Sequence, residues 1–367
     1  MKERVSRALD NIFKTNLGIK PSNSVLVFTD AYNRSIQKTA KRVALAGEKF
    51  TDNIRYVESY STGCHGVEPP EELWVEAYGK SAVQEIKKEK LLKPLLTKKI
   101  KDRDLKVVED IIRVHKKDSV HAVIALSYFS TSHTKFRDML NRICRAKYAS
   151  MPLFDEKMLS GVMQVNWTRM LKRSSDIKRI VNRYEEIEIK SDNGTFITFS
   201  KKGRKAMADT GIITKPGSFS NLPAGEVYLA PLEGSAEGTL VLEWAPTRKL
   251  KSPVILRVEN GTVRSVEGDE QFVDHLKKKL SEKKENKNIA ELGIGTNDKA
   301  TRPDNILESE KILGTIHIAL GDNSSFGGRV RTSFHQDFVF FKPTVTLISK
   351  GGRRRDLLKK GKVISNN

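Results

Sequence analysis

The sequence predicts an α/β chain in two parts: an N-terminal α/β domain with a parallel sheet over residues 1–184, and a C-terminal β-rich (α+β) domain over 185–367. Three observations lead there. Strand and helix signals alternate through the first half, hairpin signals take over after residue 184, and 367 residues can build two cores without a disulfide or zinc staple. In order, SVLVFTD (24–30) is a β-rich run ending at Asp30, and a helical pattern follows through Ile36, Ala40, Val43 and Ala44. IRYVES (54–59) and AVIALS (122–127) read as further strands. After them, Thr131 or Ser132 is placed to cap a helix with Phe136, Leu140 and Ile143 on its apolar face. A long helical pattern from about Val165 to Tyr184 carries Trp167, Met170, Leu171, Ile177, Ile180 and Val181. Beyond it, EEIEIK and TFITFS flank Ser191–Gly194, and VILRV and TVRSV flank Glu259-Asn260-Gly261, whose Asn-Gly is a strong hairpin signal.

Composition narrows the function. Cys64 and Cys144 are the only cysteines and form no finger or C-x-x-C spacing, which points to a reducing compartment. No run of 18 apolar residues occurs, and the N-terminus has no apolar h-region, so a cytoplasmic protein with no membrane partner is expected. The net charge of +21 raises nucleic acid as a partner, and a non-catalytic basic nucleic-acid-binding protein is one reading of the chain. Two features argue against it. HLKKKLSEKKENKNI (275–289) mixes acids and lysines at helical spacing, as a solvated helix does, and no stacking aromatics accompany the Gly-Gly-Arg-Arg-Arg patch at 351–355. No G-x-G-x-x-G follows the first strand and no P-loop motif is present; Gly293-Ile294-Gly295 is too short to count.

The chemistry-bearing residues are polar breaks in apolar strands of the second half. RTSFHQDFVFF (331–341) reads as a strand with His335 and Asp337 on one face beside Val339 and Phe341, and with Phe334, Phe338 and Phe340 on the other. A buried carboxylate needs a partner, either the histidine alone or a metal. Three more stretches supply donors: NLPAGEVYLAP with Glu226, AELGIGTN with Glu291 and TIHIALGDN with His317. Glu226 could instead close a turn and Glu291 begin a strand, but His317 lies among Ile316, Ile318, Ala319 and Leu320 and must be satisfied where it is. Together the five residues match the donor set of a two-metal hydrolytic centre, in which a bridging carboxylate and a metal-activated water sit between two cations. Zinc and cobalt accept such mixed nitrogen and oxygen ligands.

NLPAGEVYLAPLEGSAEGTLVLE, AELGIGTN, ILESEKILGTIHIALGDN and the His-x-Asp strand, in this order, resemble the thermophilic metalloprotease family of aminopeptidases, the aminopeptidase T and S type. STSHT and ASMP in the first half resemble the N-terminal domain of that family. The resemblance implies a homodimer, two divalent metals, and Glu226, Glu291, His317, His335 and Asp337 as ligands. It also implies hydrolysis of the first bond of a peptide with a free N-terminus, with Glu291 as the general base. One departure stands out. The family tyrosine that follows the HxALG motif is missing: Ser324 is its nearest counterpart, and no tyrosine occurs after Tyr228. Arg329 or Arg331 is the candidate replacement. The alternative enzyme class is open at this point, because His317, His335 and Asp337 alone compose the 2-His-1-carboxylate set of non-haem Fe(II) dioxygenases. A ring-cleaving dioxygenase of dihydroxypyridine resembles the same superfamily.

Overall fold

A computed structural model describes residues 2–364. The chain divides into two compact units, Met1–Gln164 with Gly211–Pro223 and Val165–Thr210 with Ala224–Asn367. The α/β class predicted from sequence is observed, with a parallel sheet in the first unit and antiparallel sheets in the second.

In the first unit, strands Ile54–Ser59, Val25–Asp30, Ala122–Ala125, Lys147–Ser150 and Phe219–Asn221 lie side by side in that order, all parallel. Val25–Asp30 is buried along its whole length, as a central parallel strand covered by helices should be. The helix Arg34–Gly47 starts at Asn33, whose side chain accepts the main-chain N–H groups of Ser35 and Ile36. The helix Lys135–Arg142 is capped by Thr134, which accepts the N–H of Arg137 at 3.1 Å, not by Thr131 or Ser132. Thr131 instead bonds the Tyr148 hydroxyl at 2.6 Å inside the core. Phe28, Trp74, Tyr78, Phe136 and Tyr148 fill that core, each worth roughly 1.5–3 kcal/mol of burial.

The expected boundary at residue 184 differs from this division. The helix Trp167–Val181 lies in the second unit because Ile177 and Val181 pack with Ile187, Leu240 and Leu256, while 211–223 returns to the first unit to add its last strand. Helical periodicity locates a helix but not the core that receives its apolar face.

The second unit holds two antiparallel sheets. One has eight strands in the order Thr262–Glu267, Arg248–Glu259, Glu237–Ala245, Phe196–Ser200, Glu186–Lys190, Thr344–Ile348, Arg354–Lys359 and Lys362–Val363. Both predicted hairpins are in it. At the second, Asn260 and Gly261 take φ of 49° and 72°, the paired positive values that a two-residue hairpin turn requires.

The other sheet has five strands in the order His335–Phe340, Ile316–Gly321, Ile289–Gly295, Glu226–Leu229 and Met207–Asp209. Leu292, Ile294, Ile316, Ile318, Leu320, Phe338 and Phe340 send one face into the core. Alternation then puts the polar breaks on the opposite face. On one side each of them meets a residue with little or no side chain: Glu226 faces Gly295, Glu291 faces Ala319, His317 faces Gly293, Asp337 faces Ala319 and His335 faces Gly321, while on the other side Glu226 pairs with Asp209 and His317 with Val339. The sheet thereby leaves room above itself for bulky polar groups. No helix among the described residues is long and apolar enough to cross a membrane.

Gly293 is the tightest of these positions. A Cβ built there would lie 1.9 Å from His317 Cε1 and 2.0 Å from Nε2, so Gly293→Ala must displace the imidazole or the strand. We expect a loss of about 1–3 kcal/mol, the usual cost of overpacking, read by chemical denaturation. Gly351→Ala, which adds its methyl group to open space, should stay within about 0.5 kcal/mol of the parent. A Gly293→Ala chain as stable as the parent would show that the imidazole position is not set by this contact.

Candidate metal centre

The five predicted donors converge. Oxygen and nitrogen atoms of Glu226, Glu291 and His317 lie within 4.8 Å of one another, as do those of Glu291, His335 and Asp337, so Glu291 belongs to both groups. His317 Nε2 is 3.4 Å from Glu226 Oε2, 3.4 Å from Glu291 Oε1 and 4.0 Å from Asp337 Oδ1. His335 Nε2 is 3.5 Å from Glu291 Oε2 and 3.6 Å from Asp337 Oδ1. Asp337 thus lies beside His335 and within reach of His317 as well, so the pair is part of a wider cluster. Donors each about 2.0–2.2 Å from a common cation stand at such separations from one another. This set of imidazoles and carboxylates is suited to hold a metal ion.

The chain also fixes which imidazole nitrogen faces the cluster. His335 Nδ1 lies 2.8 Å from the Asp322 carbonyl, to which it donates, leaving Nε2 to present a lone pair. Asp322 is itself clamped, its carboxylate accepting Ser324 N at 3.1 Å, Ser324 Oγ at 3.1 Å and Thr332 N at 3.0 Å. Ser324 therefore orders a turn and does not replace the missing tyrosine in the cluster. His317 is buried with Nδ1 unpartnered, and its ring rests against Gly293. Arg329 and Arg331 are exposed.

Without a cation, the cluster holds protons. Burial would lower both imidazoles, but the carboxylates outweigh it. Glu291 and Glu226 raise His317 to about 9, and Asp337 and Glu291 raise His335 to about 10. Burial opposes ionisation of Asp337 as well, yet His335 and His317 hold its pKa well below the carboxylate range. Glu291 goes the other way, pushed up by burial.

Two features were not found from the sequence. Lys311, with no exposed side-chain surface, donates to Glu226 Oε1 at 2.7 Å and to Glu310 Oε2 at 2.9 Å. Its burial disfavours charge, but Glu226 and Glu310 more than compensate, so it remains an ammonium. In the sequence it lies in ESEK, a local pattern that a solvated stretch shares; the isoleucine and leucine that follow are the available signal. The second feature is an aromatic flank. The half-buried Tyr228 meets Phe326 edge-on at 5.8 Å, and Phe326 meets the His335 ring at 6.1 Å and 89°.

Comparison with known proteins separates the two enzyme classes. The sequence profile of the family described as NicX, 2,5-dihydroxypyridine 5,6-dioxygenase, matches residues 156–363, more than half of the chain. A 2,5-dihydroxypyridine 5,6-dioxygenase of Pseudomonas putida KT2440 is 24% identical over 192 residues, covering 46% of this chain and 54% of that protein. The match thus spans about half the length of the curated relative. Among solved structures, the 2,5-dihydroxypyridine dioxygenase from P. putida KT2440 superposes with a TM-score of 0.72 at 16% identity, over 100% of this chain and 98% of that one. Wild-type AmpT from Thermus thermophilus gives 0.60 at 14% identity, over 99% and 100%. These two likenesses show a shared fold. The expectation of a hydrolytic aminopeptidase with a peptide substrate is corrected: the aminopeptidase T resemblance reaches the fold, whereas the family profile and the curated relative both name a dioxygenase. The donor motifs could not make this distinction, because imidazoles and carboxylates of this kind suit either class. The chain belongs to the NicX family, described as 2,5-dihydroxypyridine 5,6-dioxygenase.

Proposed function

We propose that this protein is a non-haem, iron-dependent dioxygenase that opens a dihydroxylated, pyridine-like ring, with His317, His335 and Asp337 as the metal's protein ligands. The observation that carries the reading is the position of Asp337 beside both imidazoles on one face of one sheet, 4.0 Å from His317 Nε2 and 3.6 Å from His335 Nε2, in a chain of this family. Two imidazoles and one carboxylate with open positions suit Fe(II) and dioxygen. Bound there, the ion would supply the redox centre at which dioxygen and the ring hydroxyls are brought together.

The chain's own residues do the rest. The Asp322 carbonyl keeps His335 Nε2 directed at the cluster. The edges and faces of Tyr228 and Phe326 flank a flat ring on the His335 side. Glu291, between the imidazoles at 3.4 and 3.5 Å, accepts the proton that a ring hydroxyl gives up. Its role thus moves from activating water to deprotonating an aromatic substrate. The missing family tyrosine is then no deficit, because no tetrahedral peptide intermediate needs support.

Two outcomes follow. Chain reconstituted anaerobically with Fe(II) and then given oxygen and 2,5-dihydroxypyridine should consume one O2 per ring lost, followed with an oxygen electrode and by the ring's ultraviolet absorbance. Asp337→Asn should lower that rate by about 100-fold or more, the scale of losing a positioned acid-base or ligand group. A folded, iron-loaded chain that consumes no oxygen with any dihydroxylated pyridine would overturn the proposal.

The second outcome concerns pH. His317 and His335 have folded pKa values of about 9 and 10, above the ordinary 6.5. In chelator-treated protein their protonation contributes stability fully below about pH 6.5, and that contribution is lost as pH rises through 9 to 10. A metal needs the same nitrogens deprotonated, so its binding strengthens over the same window. The gap in melting temperature between metal-loaded and chelated protein should therefore widen from pH 6.5 to 9; a gap that narrows would remove the imidazoles from the ligand set.

A further inference from the structure

We propose that Lys311 is a built-in second cation: its ammonium holds Glu226, so that the donor cluster takes one divalent ion and not a bridged pair. This deepens the dioxygenase reading above and rests on it only for the presence of a metal. The donors form two groups that share Glu291, which is the arrangement of two cations bridged by one carboxylate. Nothing in the ligand set itself says that only one ion binds. The difference lies in what else touches the group of Glu226, Glu291 and His317.

Lys311 Nζ takes Glu226 Oε1 at 2.7 Å and is held from the other side by Glu310 Oε2 at 2.9 Å. It cannot readily swing away. Its side chain has no exposed surface, its N–H donates to the Glu308 carbonyl at 3.0 Å, and its carbonyl accepts Asn297 N at 2.8 Å. Asn297 is in turn tied to the Ala224 carbonyl at 2.9 Å, two residues before Glu226, so the lysine and its carboxylate partner are anchored to one framework. A divalent ion entering this group would share Glu226 with a buried ammonium that water cannot screen, and like charges at that distance disfavour each other. On the other side, Asp337 lies 4.0 Å from His317 Nε2 and 3.6 Å from His335 Nε2, and its charge together with that of the neighbouring Glu291 is sufficient for one dication held by the two imidazoles and Asp337. The lysine thereby turns a potentially dinuclear layout into a mononuclear one, and Glu226 becomes a positioning residue for the lysine instead of a ligand.

The test is metal stoichiometry, independent of turnover. Chelator-stripped protein is titrated with Zn(II) and with Co(II) by calorimetry, with elemental analysis after gel filtration. The parent chain should bind one ion. Lys311→Gln should bind a second, at least tenfold more tightly than any second ion in the parent, while Lys311→Arg should keep one. Glu226→Gln should also retain its single ion. Two tight ions in the parent, or a folded Lys311→Gln chain that still takes only one, would overturn the proposal. Should Lys311→Gln fail to fold, the parent and Glu226→Gln decide it, since two ions in the first or none in the second has the same consequence. A chain that binds one ion yet opens no ring would sink the proposed activity and leave this assignment standing.

Discussion

The second unit depends on one constraint: Glu226 and Glu291 are buried and Asp337 half-buried on a single face of a single sheet, and their charge must be compensated there. An isolated buried carboxylate costs several kcal/mol or takes up a proton. The protein answers with positive charge of two kinds. One is permanent, the ammonium of Lys311 on Glu226 and Glu310. The other is exchangeable, the two imidazoles that bind protons when no metal is present and give them up when one arrives. In the proposed centre, metal binding and proton release are therefore one equilibrium.

The architecture serves that constraint. Strand alternation gives one face of the five-stranded sheet to Leu292, Ile318, Phe338 and their neighbours, which anchor it in the core, and the other face to the donors. A glycine or alanine on one side of every donor keeps room on that face. The loop after the His317 strand then supplies Asp322, whose carboxylate organises the turn and whose carbonyl orients His335, so the donors depend on residues outside the cluster. Positioning of this kind is how a rigid scaffold holds catalytic groups without loop flexibility.

Much of this was legible in the sequence, and the parts that were not share a physical reason. His317 among isoleucines, and His335 with Asp337 in an aromatic strand, announced themselves because a polar group in an apolar run needs compensation. The Asn260-Gly261 turn was legible because few residues tolerate paired positive φ. Lys311 was not, since a buried lysine next to glutamates has the same local pattern as a solvated one, and only tertiary structure buries it. Asp322 acts on His335 through its main-chain carbonyl, which sequence does not display. The boundary near residue 165 depends on which core receives Ile177 and Val181, a long-range matter. The reaction class was misread for a related reason. The fold is shared with a hydrolase and an oxygenase alike, and this set of donor types suits either chemistry.

The most direct measurement of the account is anomalous diffraction from crystals grown with Fe(II) under anaerobic conditions, with data on both sides of the iron edge. The account predicts one anomalous peak per chain, within bonding distance of His317 Nε2, His335 Nε2 and Asp337, with Lys311 Nζ still on Glu226. Two peaks bridged by Glu291, or a Lys311 side chain displaced from Glu226, would contradict it.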